Sequence, residues 1–191
     1  MEPNWILQRA HLTPNRIGLS FGDQSWTFKQ IADNAIEIAY KFANFGLKSK
    51  SRIAILAPSS PESVFIIYGS MLAKSEIVLL NSRLTKEELA YQIQDSNVEA
   101  IICHECDQDK LGQDLNIILV RELFQANETN IQIDSYWNES DTISIMYTSG
   151  TTGYPKGVRQ TLQNHKASAI NSILNIGMTP KDVWLCMVPI F

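Results

Sequence analysis

Apolar residues along this chain recur with two different spacings, one typical of helices and the other of buried strands. After the capping-box sequence Thr27-Phe28-Lys29-Gln30, apolar side chains return every three or four residues until Gly46, which predicts an amphipathic helix. This stripe consists of Ile31, Ala35, Ile38, Ala39, Phe42 and Phe45. The next apolar run, residues 52–57, is short and continuous, which is typical of a strand buried on both faces.

The same alternation predicts the remaining elements. Gly22-Asp23, between residues 16–21 and 24–28, indicates a hairpin. Further strands are predicted at residues 76–80, 98–103, 116–120, 143–147 and 182–189, and further helices at residues 4–12, 61–74, 86–95 and 163–176. A second capping-box sequence, Thr85-Lys86-Glu87-Glu88, marks the start of the helix at residues 86–95. The polar residues 125–141 predict a loop. Because short apolar strands alternate with helices, the sequence predicts an α/β fold of parallel-sheet layers with flanking helices.

A glycine- and hydroxyl-rich segment directly follows the predicted strand at residues 143–147. Residues 148–157, called the phosphate loop below, read Thr-Ser-Gly-Thr-Thr-Gly-Tyr-Pro-Lys-Gly. Glycine lets the backbone approach an anion closely, successive backbone N–H groups form an anion-binding concavity, and hydroxyl groups add donors. Lys156 adds a positive charge, and Pro155 restricts the direction in which the chain leaves the loop. This composition predicts a phosphate-binding loop.

Two other interpretations of this segment are weaker. An ordinary surface turn would not need four hydroxyl residues, three glycines and a lysine together. The nucleoside-triphosphate loop G-x-x-x-x-G-K-[ST] does not fit, because Lys156 lies three residues after Gly153 and is followed by Gly157. The segment is therefore interpreted as a phosphate loop of another kind.

Composition excludes several classes of protein. With 191 residues, of which 45% are apolar, the chain is long enough for one large globular domain or two small ones. A net charge of −4 argues against a nucleic-acid-binding role. No run approaches the ~18 apolar residues of a membrane span, and the first residues lack a secretory pattern. We therefore expect a cytoplasmic protein that is not inserted in a membrane.

The cysteines leave two interpretations open. Cys103-His104-Glu105-Cys106 has the C-x-x-C spacing of a metal knuckle or a redox pair, but it also fits a strand end with incidental thiols. A structural zinc site needs four ligands, and Cys186 and the other histidines do not complete one by spacing. No metal-binding residue is therefore predicted.

Several segments resemble the adenylate-forming superfamily, which includes acyl-CoA synthetases, luciferases and peptide-synthetase adenylation domains. The resemblance lies in the phosphate loop, in residues 80–89 (Leu-Asn-Ser-Arg-Leu-Thr-Lys-Glu-Glu-Leu) and in residues 182–191 (Asp-Val-Trp-Leu-Cys-Met-Val-Pro-Ile-Phe). Residues 3–10, 12–14 and 159–177 are similar to the 2-succinylbenzoate–CoA ligases of menaquinone biosynthesis.

The resemblance implies a ligase reaction in two steps. A carboxylic acid, with 2-succinylbenzoate as the expected one, reacts with ATP to give an acyl-adenylate and pyrophosphate. Coenzyme A then displaces AMP to form the thioester, and Mg²⁺ accompanies the triphosphate. Lys156 would be the catalytic residue. The ATP phosphates would be bound by Thr148, Ser149, Gly150, Thr151, Thr152 and Gly153.

Two residues are candidates for an acyl pocket. Phe191 stands where superfamily members present a pocket-lining residue, and His165 follows the phosphate loop on a predicted helix. For His165, a structural role in capping or packing that helix is the stronger interpretation.

The resemblance also implies that residues 1–191 are a partial N-terminal AMP-binding domain. Superfamily members continue with the adenine- and ribose-binding segments and a C-terminal subdomain, so we expect this chain to be inactive alone. A truncated chain, an interrupted gene product and one part of a split enzyme are the explanations left open, and so is assembly into a homo-oligomer. The alternatives to a 2-succinylbenzoate ligase are a ligase for another carboxylic acid, a non-catalytic nucleotide- or pyrophosphate-binding module, and a phosphate-loop hydrolase.

Overall fold

The computed structural model describes residues 1–148 and 153–190. The α-helices in these residues are Trp5–Leu12 (α1), Phe28–Phe42 (α2), Pro61–Leu72 (α3), Lys86–Ser96 (α4), Val120–Gln125 (α5) and Leu162–Ile176 (α6). The strands are Glu2–Pro3 (β1), Ile17–Phe21 (β2), Gln24–Thr27 (β3), Arg52–Leu56 (β4), Glu76–Leu79 (β5), Ala100–Cys103 (β6), Ile117–Leu119 (β7), Tyr136–Trp137 (β8), Thr142–Thr148 (β9) and Lys156–Thr161 (β10).

The main sheet is parallel except at one edge. Within the described residues it has six strands in the order β10-β9-β5-β4-β6-β7, and β10 alone runs antiparallel to its neighbour. The pairs β1–β8 and β2–β3 form two small separate sheets. This architecture confirms the predicted α/β class with a mostly parallel sheet and flanking helices.

The central strand β4 shows why the sheet is covered on both faces. Ile53 and Ile55 pack with residues of α2 and α3, whereas Ala54 and Leu56 point to the opposite face, where Leu89 and Ile93 of α4 lie. Alternate side chains of a strand face opposite sides of its sheet. Burying each large aliphatic side chain stabilises the fold by roughly 1.5–3 kcal/mol. The apolar composition of β4 therefore requires helices on both faces.

The predicted capping boxes are present at the starts of α2 and α4. Thr27 Oγ1 accepts from the Gln30 amide at 3.2 Å, and Gln30 Oε1 accepts from the Thr27 amide at 2.8 Å. Thr85 and Glu88 make the same reciprocal pair at 3.2 and 2.8 Å. Each box satisfies backbone donors that have no partner inside the helix, so these two helix starts follow from local sequence.

The strand predicted at residues 182–189 is wrong. Among the described residues, 182–190 contain no strand, and Val183 and Trp184 are 93% and 81% exposed. Apolar composition favours a strand only where a neighbouring strand can accept and donate backbone hydrogen bonds. No described strand lies alongside this segment.

Other differences concern segments whose structure depends on distant partners. The strand predicted at residues 116–120 ends at Leu119, and α5 begins at Val120. Tyr136–Trp137, in the predicted loop, pairs with Glu2–Pro3. Lys156–Thr161 forms a strand that the polar sequence did not predict, because its pairing with β9 supplies the backbone hydrogen bonds.

No helix in residues 1–148 and 153–190 is both long and apolar enough to cross a membrane.

Gly69 allows α2 and α3 to approach closely. A Cβ atom placed there would lie 2.5 Å from Ile38 Cγ2 and 3.0 Å from the Ala35 carbonyl oxygen. We expect Gly69→Ala to lower the free energy of unfolding by about 1–3 kcal/mol, because overpacking exceeds the gain in helix propensity. Urea denaturation would measure the change. Gly112→Ala, where the nearest atom is 3.9 Å away, is the matched control and should be near neutral. Equal stability of the two variants would refute this account.

Candidate phosphate-binding site

The antiparallel hairpin of β9 and β10 brings the two ends of the phosphate loop together. Thr148, at the end of β9, lies directly opposite Lys156, at the start of β10. Ser149, Gly150, Thr151 and Thr152, which the sequence assigned to phosphate binding, lie outside the described residues, as does Phe191. Of the predicted site residues, the hairpin therefore places Thr148, Gly153 and Lys156 at the same end of the sheet.

These three residues suit contact with a ligand from solvent. Thr148, Gly153 and Lys156 are all exposed. Gly153 has φ of +123°, a backbone conformation that a residue with a Cβ rarely adopts. A hydroxyl donor and an ammonium group on adjacent strands can both point towards one anion.

Gly157 lets β10 lie close against β9. A Cβ atom at Gly157 would be 3.1 Å from Ile145 Cγ2 and 3.2 Å from Tyr147 Cζ. A glycine within a strand often marks such an approach. The glycine of the Lys156-Gly157 pair is therefore used for packing between strands.

Helix α4 supports the second limb of the phosphate loop, defined as residues 153–156. The Tyr91 ring stacks on the Tyr154 ring with centroids 4.9 Å apart and an interplanar angle of 27°. Tyr91 Oη donates a hydrogen bond to the Pro155 carbonyl oxygen at 3.1 Å. The limb is thus attached to a helix that ends more than fifty residues earlier in the chain.

Tyr147 makes a second link between α4 and the hairpin. Its Oη donates to Asp95 Oδ2 at 2.6 Å, and its ring meets Tyr91 edge-on with centroids 6.5 Å apart. Burial, reinforced by the hydrogen bond to Asp95, raises the pKa of the Tyr147 phenol. The phenol therefore remains a protonated donor at physiological pH.

Arg159 ties β10 to the interior of the sheet. Its Nη2 lies 2.8 Å from Glu76 Oε1 and 3.0 Å from Thr142 Oγ1. The other carboxylate oxygen of Glu76 accepts from Arg52 Nη2 at 2.7 Å. One carboxylate thus joins strands β4, β5 and β10, and it holds the edge strand in register beside the loop.

His165 lies away from the phosphate loop. Its Nε2 is 2.9 Å from Ser144 Oγ, and Ser144 Oγ donates to Gln160 Oε1 at 3.0 Å. Because that hydroxyl has a single proton, His165 Nε2–H is the donor to Ser144. Ser144 precedes Thr148 by four residues, or roughly 13 Å along the strand. Within the described residues, His165 therefore bonds to Ser144 and not to Thr148 or residues 153–157, and burial lowers the pKa of its imidazole.

The C-x-x-C segment is at the end of β6. Cys103 is buried, Cys106 is exposed, and Cys106 Sγ lies 3.1 Å from His104 Nδ1. Burial, with the nearby Asp107 carboxylate, raises the pKa of the Cys103 thiol to about 12. The part of the chain that the structure describes contains no group of three or more His, Cys, Asp or Glu placed to hold a metal ion. Cys103 is therefore a protonated core side chain.

Comparison with known proteins identifies the family of this chain. The profile of the AMP-binding enzyme family matches residues 6–191, which is nearly the whole chain. The chain belongs to the AMP-binding enzyme family.

Individual relatives are similar over the whole of this chain. It is 36% identical over 191 residues to the 2-succinylbenzoate–CoA ligase of Bacillus pumilus, covering 100% of this chain and 39% of that protein. The solved O-succinylbenzoate coenzyme A synthetase (MenE) of Bacillus subtilis, in complex with AMP, is 36% identical with a TM-score of 0.94, covering 98% of this chain and 50% of the solved one. Its complex with ATP and magnesium is 34% identical, with a TM-score of 0.93 and coverage of 98% and 51%.

The chain therefore spans about two fifths of the length of the curated relatives it matches. Its fold corresponds closely to half of the solved AMP complex.

Sequence reasoning missed the contribution of Tyr91 to the site. Tyr91 lies in a helix whose sequence predicts only amphipathic packing, and nothing local links it to residues 153–156. Glu76 was assigned only to a strand, and its ionic contacts with Arg52 and Arg159 depend on strand order. Among these three residues, only Gly157 could have been recognised from the local sequence, because a glycine in a strand often marks a close approach between backbones.

The depressed pKa of His165 predicts a pH dependence of stability. The unfolded-state pKa is about 6.5, and the folded-state value is lower. Between the two values the unfolded chain binds more protons, so stability is present above about pH 6.5 and is lost as the pH falls through this window. We expect His165→Gln to flatten this part of the profile of urea midpoint against pH. The exposed His11→Gln is the control, and an unaltered profile in H165Q would contradict the assignment.

Proposed function

We propose that this protein is the phosphate-loop-bearing part of an AMP-forming carboxylate–CoA ligase that acts on 2-succinylbenzoate in menaquinone biosynthesis. The observation that carries the proposal is the β9–β10 hairpin, which places Thr148 opposite Lys156 at the ends of the phosphate loop. Whole-chain similarity to 2-succinylbenzoate–CoA ligases supports the substrate class. A solved Bacillus subtilis relative at 35% identity contains the acyl-adenylate intermediate OSB-AMP.

In the first step, a carboxylate oxygen of the acid attacks the α-phosphorus of ATP. The bond between the α-phosphorus and its bridging oxygen breaks, and that oxygen leaves with the electron pair as part of pyrophosphate. Negative charge therefore grows on the departing group. Donors already aimed at this charge lower the barrier, because they need no reorganisation during the reaction.

We assign this role to the phosphate loop. Lys156 is the catalytic cation that neutralises the departing pyrophosphate. The phosphates are bound by Thr148, Ser149, Gly150, Thr151, Thr152 and Gly153. Mg²⁺ would arrive bound to the triphosphate, since hydroxyl and phosphate oxygens are ligands it accepts.

In the second step, the thiol sulfur of coenzyme A attacks the acyl carbonyl carbon and the thiol loses its proton. The bond between that carbon and the phosphate oxygen of AMP breaks, and AMP leaves with the electron pair. Because ATP and coenzyme A are cytoplasmic metabolites, the proposed reaction places the protein in the cytoplasm. His165 and Phe191 stay as candidates for the acyl pocket. For His165, the hydrogen bond to Ser144 supports the structural role.

We propose further that residues 1–191 are a partial N-terminal AMP-binding domain. Many large apolar side chains on α6 and in the segment after it are exposed. The exposed side chains are Ile170, Ile173, Leu174, Ile176, Met178, Val183, Trp184, Leu185, Met187 and Val188. Exposed apolar patches of this kind mark interaction surfaces. In the complete ligase, this surface would pack against the remaining segments.

A second candidate is a non-catalytic nucleotide- or pyrophosphate-binding module. The observation in its favour is the glycine- and hydroxyl-rich loop with Lys156, whose composition suits phosphate binding whether or not adenylation follows. A ligase for a different carboxylic acid is the other alternative within the same chemistry.

The two candidates differ in whether adenylation can occur. We expect no ATP–pyrophosphate exchange from the 191-residue chain alone with 2-succinylbenzoate and Mg²⁺. Exchange should appear when the chain is continued by the remaining segments of the Bacillus subtilis relative. Exchange by neither protein, with the fusion folded, would reject 2-succinylbenzoate as the acid or adenylation as the chemistry, and a panel of carboxylic acids would separate these two results.

Lys156→Ala tests the catalytic assignment. In the fusion protein we expect ATP–pyrophosphate exchange to slow by about 10²–10³-fold, because one positioned donor to the developing charge is lost. Thermal stability should change little, since the Lys156 side chain is exposed. The exposed Lys181→Ala is the matched control. An undiminished exchange rate in K156A would remove Lys156 from the mechanism.

A further inference from the structure

Tyr91 contacts the second limb of the phosphate loop in two independent ways. Its ring stacks on Tyr154, and its hydroxyl donates to the Pro155 carbonyl oxygen. Tyr154 is 74% exposed, so stacking on Tyr91 is not a by-product of burial in the core. Offset aromatic stacking and a hydrogen bond are directional, so together they set both the position and the orientation of this limb.

The hydrogen bond acts on the peptide unit that carries Lys156. The Pro155 carbonyl group and the Lys156 N–H group belong to one planar peptide. Each residue has two soft backbone rotations, φ and ψ, and the pyrrolidine ring of Pro155 fixes its φ. Fixing the carbonyl oxygen of Pro155 therefore fixes the direction in which the chain enters Lys156. On the other side, pairing with Thr148 fixes Lys156 in the sheet.

Helix α4 is a firm base for these contacts. Leu89 is fully buried and Ile93 is 7% exposed, both against the sheet. The Tyr147–Asp95 hydrogen bond joins the same helix to β9. Tyr91 thus connects residues 153–156 to the part of α4 that the core holds in place.

We propose that Tyr91 is a positioning residue for Lys156. By stacking on Tyr154 and donating to the Pro155 carbonyl, it holds the second limb of the phosphate loop so that the Lys156 ammonium group meets the phosphates. The inference rests on the proposed function, because it assumes that Lys156 binds phosphate. Tyr91 contacts no reacting atom in this account and acts only through the loop.

Tyr91→Phe is the sharpest variant, because it removes the hydrogen bond and keeps the ring. Tyr136→Phe, which removes the hydroxyl of an exposed tyrosine on β8, is the matched control. In the 191-residue chain, we expect amide hydrogen exchange in peptides covering residues 153–158 to accelerate about three- to tenfold in Y91F and to stay unchanged in Y136F. Exchange in the buried strand β4 should stay unchanged in both variants.

Binding of inorganic tripolyphosphate, measured by calorimetry, tests the consequence for Lys156. We expect Y91F to weaken binding about three- to tenfold without a change in melting temperature. Combined with Lys156→Ala, Y91F should cause no additional loss, because the two residues act on the same interaction. Tyr154→Leu, which removes the stacked ring, should weaken binding in the same way.

The outcomes separate this inference from the proposed function. Unchanged local hydrogen exchange in Y91F, or an equal loss of affinity with and without Lys156, would overturn the positioning role while leaving the phosphate loop intact. No tripolyphosphate binding by the unsubstituted chain would instead reject the phosphate-binding assignment on which both depend. The positioning role of Tyr91 would be established by three results together. Y91F should accelerate local hydrogen exchange and weaken tripolyphosphate binding, and it should cause no further loss of affinity in the K156A background.

Discussion

The antiparallel pairing of β9 with β10 is the constraint on which the candidate site depends. It places Thr148 opposite Lys156 and so closes the two ends of the phosphate loop upon each other. The pairing favours glycine at position 157, since a Cβ atom there would lie too close to Ile145 and Tyr147. It also has support from the sheet, because Glu76 on β5 accepts from Arg159 on β10. The absence of a side chain at Gly157 and the ionic contact between Arg159 and Glu76 therefore both stabilise the pairing of β9 with β10.

Helix α4 links the core to the site. Its apolar side chains cover one face of the sheet, and Tyr91 and Asp95, on the same helix, reach the phosphate-loop hairpin. The chain as a whole carries a net charge of −4, so attraction of an anionic ligand depends on local groups. In the proposed function, Lys156 and the hydroxyl donors of the loop would supply that local attraction, and its strength would depend on how firmly the backbone holds these groups.

Membership of the AMP-binding enzyme family and the TM-score of 0.94 to a solved synthetase agree with the α/β fold and its mostly parallel sheet. The chain spans 39% of the length of a curated relative and covers 50% of the chain in the solved AMP complex. The exposed apolar side chains of α6 and residues 178–188 are consistent with a surface made for packing.

The α/β class and the capping boxes at Thr27 and Thr85 follow from the amino-acid sequence, because they depend on spacing within a few residues. The phosphate-binding role of the loop around Lys156 is a prediction from local composition. The edge strand at residues 156–161, the absence of a strand at residues 182–189 and the contact of Tyr91 with Pro155 could be read only from the three-dimensional arrangement. The physical reason is the same in each case: a strand or a support contact exists only where a segment distant in sequence supplies its partner.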